Sequence, residues 1–204
     1  MPAQQPAVLV LSAHAVDDCR ASRTRRRVLP FNNRGFAVAT IDEGIRLRCY
    51  GIRGDILILG FTDVHRAREL KKYRLTQTLI DAAYAECLNQ QGTPVRVHIG
   101  IDSGMHRLGF DADDFENIRQ VFRMKNLKVD GMFTHLCCCE SLEPEDVAFT
   151  KNQICRFYAL IDYLKEHKVP IPKLHIQSSC EARIYHTAFP TDPAKERYAE
   201  DPFP

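Results

Sequence analysis

Arg107 and His106 stand in the stretch Met105-His106-Arg107-Leu108-Gly109, directly after the alternating run Val95–Asp102. A guanidinium offers a planar fork of donors that suits carboxylate, phenolate and phosphate oxygens. His135 closes another apolar run, Leu127–Thr134, where an imidazole serves either as a satisfied core group or as a group that titrates near neutral pH. Ser178 and Ser179 end a third run; hydroxyl and backbone donors at a strand-to-helix turn can cradle a phosphate, or simply form a hydroxyl-capped turn. Cys137, Cys138 and Cys139 are consecutive. Zinc sites space their ligands by two to four residues, so three adjacent cysteines do not match one. Small apolar side chains at the end of a buried strand are the simpler reading, and no metal is expected.

These residues need a frame that brings strand ends together. Val95, Val97, Ile99 and Ile101 alternate with Arg96, His98, Gly100 and Asp102, a period of two in β-branched residues that predicts a strand ending at Ser103-Gly104. Phe36–Thr40 and Asp55–Gly60 read as buried strands, and near-continuous apolar strands belong to parallel sheets covered on both faces. Ile41–Tyr50 reads as a helix opened by Asp42, Arg66–Tyr73 as a charged helix, and Thr76–Leu88 as an amphipathic helix with Leu79, Ala83, Cys87 and Leu88 on one side. Gly92 and Pro94 stop it. Asp111 is placed to cap a helix over Ala112–Arg123 with Phe115, Ile118, Val121 and Phe122 inward. Pro144 opens a long helix over Glu145–Lys168 that buries Ile154, Phe157, Ile161 and Leu164, and Lys173–Ser178 is the last clear strand. Strand–helix alternation means a parallel sheet, either a closed barrel or an open doubly wound one, with ligands at the strand C-terminal ends. Gly60-Phe61, Asp102–Arg107, His135 and Ser178-Ser179 would then share one face.

With 45% hydrophobic residues and a mean hydropathy of -0.29, the composition is that of a water-soluble globular chain. No apolar run approaches the ~18 residues that cross a bilayer, so no membrane partner is expected. A net charge of +2 is too mild for a nucleic-acid partner, whose footprint is a clustered basic face. The one cluster, Arg20, Arg23, Arg25, Arg26 and Arg27, reads as a solvated arm rather than a targeting leader, because Asp17 and Asp18 precede it. Eight cysteines without a secretory leader favour reduced thiols and a cytoplasmic setting.

Ile101–Phe110, read IDSGMHRLGF, resembles the D-T/S-G-M-x-R-L-G signature of the pyridoxal-phosphate alanine racemases, especially the serine/alanine racemase domains of the vancomycin-resistance type. Phe36–Arg48, Asp55–Thr62, Tyr73–Asp81, Asp130–Cys137 and Lys173–Ser179 resemble further family segments in family order, so the resemblance runs over residues 35–179. It implies an α/β fold of the (β/α)8 TIM-barrel type, racemisation of alanine, serine or a related amino acid, a homodimer, and pyridoxal 5'-phosphate. By resemblance Arg107 falls on the arginine that hydrogen-bonds the cofactor phenolate and helps place the substrate carboxylate. His135 falls on the histidine against the cofactor ring, and Ser179 on the serine that donates to the phosphate. Ser178 occupies a position that is often asparagine.

Other family features have no counterpart. The family joins the cofactor to a lysine at the end of the first barrel strand, about 25–30 residues ahead of the strand matching Phe36–Thr40. Here the first lysine is Lys71. The tyrosine that acts as second base and the arginine on the pyridine nitrogen lie in family sequence unmatched after Cys180, and Gly100 replaces a lysine that orients the arginine. The expectation is a divergent segment over 1–34, an incomplete barrel of about five or six of eight strands over 35–180, and an irregular tail over 181–204, without the C-terminal β domain. As a truncated or degenerate copy it would have little or no activity. A phosphate-binding scaffold, and more remotely a Cys/His thiol or metal protein, are the alternatives.

Overall fold

Alternation of side chains along parallel strands decides where everything else in the chain sits. The computed structural model describes residues 9–10, 35–138, 141 and 143–177. Its strands are β1 (Leu9–Val10), β2 (Phe36–Val38), β3 (Ile56–Ile58), β4 (Thr76–Leu79), β5 (Val95–Asp102), β6 (Phe110–Asp111), β7 (Leu127–His135) and β8 (Lys173–Gln177). They form one parallel sheet in the order β1-β2-β3-β4-β5-β7-β8, with β6 paired to β5. Six strands of three or more residues thus follow one another with helical crossovers on one face, as in an incomplete (β/α)8 barrel. Among the described residues no pairing joins β8 to β1.

The helices are α1 (Ile41–Cys49), α2 (Ala67–Lys72), α3 (Ala82–Gln90), α4 (Phe115–Val121) and α5 (Pro144–Glu166), with a single 3-10 turn over Val64–Arg66 ahead of α2. Phe36, Val38, Ile56, Ile58, Val97, Ile99 and Met132 pack against Leu47, Leu70, Leu88, Ile118, Phe157 and Leu160 in one core. The intervening residues occupy the opposite face, which is unusually polar. There Arg96 bonds Asp130 and Asp55, Lys173 approaches Asp55, and His98 meets His175.

Three helix readings change. Thr76–Leu88 is not one helix: Thr76–Leu79 is β4, buried at all four positions and paired with both β3 and β5. Burial between two parallel neighbours overrides helix propensity there. Asp81 then caps α3, accepting from the Tyr84 amide at 2.6 Å. Tyr84, Ala85 and Leu88 face inward, whereas Ala83 and Cys87 are exposed. Thr40, not Asp42, opens α1: its hydroxyl accepts from Glu43 N while the Glu43 carboxylate accepts from Ala39 N, so two end donors are satisfied together. Asp42 instead pairs with Arg66 at 2.7 Å. Finally, Asp111 belongs to β6 and α4 starts only at Phe115, behind Asp114. The long helix, by contrast, follows Pro144 as its spacing implies and buries Ile154, Phe157, Ile161 and Leu164.

Candidate active site at the strand C-terminal ends

The loops that leave β3, β5 and β7 are tied down by side chains beneath them. After β3, Gly60 passes so close to β2 that a Cβ would sit 2.5 Å from Ala39 O. The Gln77 side-chain amide donates to Gly60 O at 2.8 Å, and the Tyr84 hydroxyl donates to Thr62 O at 2.8 Å. Phe61 is therefore held out at the surface, 61% exposed, with its ring 5.1 Å from that of Tyr84.

After β5 the chain turns on the Asp102 carboxylate, which accepts from Gly104 N at 2.9 Å and His106 N at 3.0 Å. Gly109 returns the loop to the sheet at φ +131°, where a Cβ would lie 2.8 Å from Asp102 N. Arg156 of α5 clamps the loop from outside, donating to Ser103 O, Asp111 Oδ1 and Asp113 Oδ2. Arg107 sits at the loop crest and is exposed; no hydrogen bond or ion pair holds its guanidinium among the described residues.

His135 is the last residue of β7 and is partly buried. Burial first, and then the positive charge of Arg107, hold its pKa below the ordinary histidine value, so the imidazole is neutral near pH 7. Beneath it lies Gln153, fully buried in α5. Its amide nitrogen donates to His135 O at 3.3 Å and to Ser103 Oγ at 3.4 Å, while its oxygen accepts from Cys137 N at 3.3 Å. Ser103 Oγ bonds Thr134 Oγ1 at 2.7 Å, and Thr134 donates to Ile101 O. The ends of β5 and β7 are thereby locked to each other and to α5.

Sequence reasoning had not singled out Gln153 or Arg156. The signal for Gln153 was available: it falls one turn before Phe157 on the apolar stripe of α5, where an uncharged polar side chain must find buried partners.

The structure thus places Arg107 in the loop after β5 and His135 at the end of the adjacent β7, where the arginine's charge acts on the imidazole, and sets Gly60-Phe61 past the end of β3, two strands from β5. Ser178, Ser179 and Cys139 lie outside the described residues. At Gly100 a Cβ would lie 3.1 Å from Thr78 Cγ2 and 3.7 Å from Phe133 Cζ, so neighbouring side chains already occupy the space beside it. A family model described as alanine racemase, N-terminal domain, matches residues 21–191. The chain belongs to this family.

Similarity to individual racemases agrees. An amino-acid racemase of Enterococcus faecalis is 55% identical over 143 residues, which are 70% of this chain and 20% of that protein. A serine/alanine racemase of Enterococcus gallinarum is 38% identical over 144 residues, 71% of this chain and 20% of that protein. The crystal structure of alanine racemase from E. faecalis superposes with a TM-score of 0.75 at 28% identity, covering 93% of this chain and 51% of that one. The chain spans about a fifth of the length of these two curated relatives.

The alanine racemase family is pyridoxal phosphate-dependent. The residues present meet that cofactor in part. An exposed guanidinium without a partner suits its anionic oxygens, and a neutral imidazole beside it suits the ring. The covalent link does not fit. β1, which pairs with β2 as a first barrel strand, is followed by Leu11-Ser12-Ala13-His14, and no described lysine stands at a strand C-terminal end. Lys128 and Lys173 lie at the opposite ends of their strands.

Proposed function

We propose that this chain is a racemase-type scaffold that holds a phosphate-bearing pyridine cofactor through non-covalent contacts and converts amino acids little or not at all by itself. The observation that carries this reading is the open Arg107 guanidinium on the strand next to that of neutral His135, with no lysine at the strand C-terminal ends among the described residues. Arg107 binds the phenolate oxygen and, when an amino acid is present, its carboxylate. His135 lies uncharged against the ring, and Ser178 and Ser179 supply donors to the phosphate. When bound, the cofactor supplies an electron sink for the amino acid α-carbon. That chemistry needs a covalent attachment, for which no lysine stands at a strand C-terminal end among the described residues, and no second base is assigned. Amino acids are the small-molecule ligands, pairing with a second copy and a cytoplasmic setting accompany the reading, and neither nucleic acid nor membrane is a partner. No helix of the described residues is long and apolar enough to cross a membrane.

An active amino-acid racemase is the second reading, favoured by the 55% identity to the E. faecalis protein. Spectral titration of the full chain with pyridoxal phosphate, followed by incubation with L-alanine and L-serine, separates the two. The expected result is saturable binding without formation of either D-amino acid. Sustained formation of a D-amino acid by the purified chain would contradict the proposal.

A further inference from the structure

Two of the three consecutive cysteines have a geometry of their own. Cys137 is exposed and Cys138 partly so. Their sulfurs are 3.8 Å apart, with the Cys138 thiol directed at Cys137 Sγ. Gln153 holds the first of them twice: the Cys137 amide donates to Gln153 Oε1 at 3.3 Å, and its thiol points to the same oxygen at 3.5 Å. Leu136, buried just before them, anchors the segment in the core, and Ser141 N donates to Cys138 O, which closes a turn behind them. The pair is therefore a positioned dithiol open to solvent, two residues beyond His135.

What would take both sulfurs follows from their number and spacing. Two thiolates held at about 2.3 Å by one atom lie roughly 3.8 Å apart at a tetrahedral centre and about 3.4 Å apart at a pyramidal trivalent one, so a small turn of either side chain lets this pair share a single atom. A zinc ion would still need two more ligands. Among the described residues no group of three or more histidines, cysteines or acids is placed to hold a metal. A centre that needs only two sulfurs is completed by this pair alone. Soft sulfur ligands select thiophilic acceptors, and a trivalent arsenical with one organic substituent has two positions to fill.

We propose that Cys137 and Cys138 form a dithiol site that captures trivalent organoarsenicals at the mouth of the cofactor site. With phenylarsine oxide the two thiol protons and the arsenic-bound oxygen leave as one water, two As–S bonds form, and neither sulfur nor arsenic changes oxidation state. The reaction removes the proton that the Cys137 thiol directs to Gln153, so capture also releases one contact of the side chain that supports His135. This proposal does not depend on cofactor binding.

The test uses the full reduced chain and phenylarsine oxide. One phenylarsenic group per chain should be retained in excess mercaptoethanol and released by a dithiol such as dimercaptopropanol. Cys137→Ser and Cys138→Ser should each lower the affinity about a hundredfold, since one sulfur forfeits the advantage of intramolecular closure. Cys49→Ser, Cys87→Ser, Cys139→Ser and Cys155→Ser should leave it unchanged. Mass mapping of the unsubstituted chain, which needs no variant to fold, should place the adduct on a peptide containing both Cys137 and Cys138. Retention by both serine variants, displacement by the monothiol, or an adduct on another peptide would overturn the proposal.

Discussion

Arg107 and Gln153 divide the work at the strand ends. Arg107 is exposed and touches no core, so Arg107→Ala should change folding stability by less than about 0.5 kcal/mol. A charge-assisted hydrogen bond contributes about 1.5–3 kcal/mol, so the same substitution should weaken pyridoxal phosphate binding roughly tenfold to a hundredfold in an equilibrium titration. Lysine should restore it only in part, because a point charge cannot reproduce the guanidinium fork. Gln153→Leu should do the reverse. It removes the buried acceptor of the Cys137 amide and a donor to the His135 carbonyl, and each hydrogen bond lost costs about 0.5–1.5 kcal/mol. A denaturant midpoint well below that of the parent chain, together with a change in the environment of His135 by NMR, would bear this out. The places of Arg107 and His135, past the end of β5 and at the end of β7, were legible because the signature stretch and the end of the run before Cys137 carry them. Gln153 was not, since its importance comes from partners fifty and eighteen residues away, Ser103 and His135.

The strands and helices differ in how clearly their own residues specify them. β5 alternates β-branched and polar residues over its whole length, and both the strand and its end at Ser103 follow directly. β4 has only four residues, Thr76-Gln77-Thr78-Leu79, too few to separate a period of two from the following helical pattern. What makes it a strand is pairing to β3 and β5, which no local spacing reveals. The boundary itself was marked by Asp81. Asp81→Ala should therefore cost about 1 kcal/mol, read in the urea midpoint, by removing the side-chain acceptor of the Tyr84 amide. If α3 extended back to Thr76, Asp81 would be interior to a helix and alanine would be neutral or stabilising there. Gly109 is a second structural pivot. Gly109→Ala combines a φ of +131° with a Cβ 2.8 Å from Asp102 N, so it should displace the Arg107 loop and lower both stability and cofactor affinity.

Across the whole molecule, the face of the sheet away from the helices decides how the protein responds to pH. His98 Nδ1 and His175 Nε2 are 3.1 Å apart, and Gly131 passes beneath His98 where a Cβ would lie 2.6 Å from the ring. Burial depresses the pKa of His98 to about 4 and that of His175 to about 3, the second helped by the charge of the first. Asp130, Asp55, Arg96 and Lys173 face His98 with opposing effects. In the unfolded chain both imidazoles titrate near 6.5, so between that value and about 4 the unfolded state binds more protons. Stability should be complete above about pH 7 and fall as pH drops toward 4, and His98→Gln with His175→Gln should flatten the dependence in urea titrations across that range. The parallel α/β class was readable from strand–helix alternation, and its barrel type from the resemblance. The histidine pairing required the register of β5, β7 and β8. The measurement that bears most directly on the central claim is borohydride reduction of the chain saturated with pyridoxal phosphate, followed by peptide mapping. Saturable binding should leave no lysine carrying the reduced pyridoxyl group in stoichiometric amount. A single lysine labelled to completion would contradict the non-covalent scaffold and return the chain to the covalent racemases.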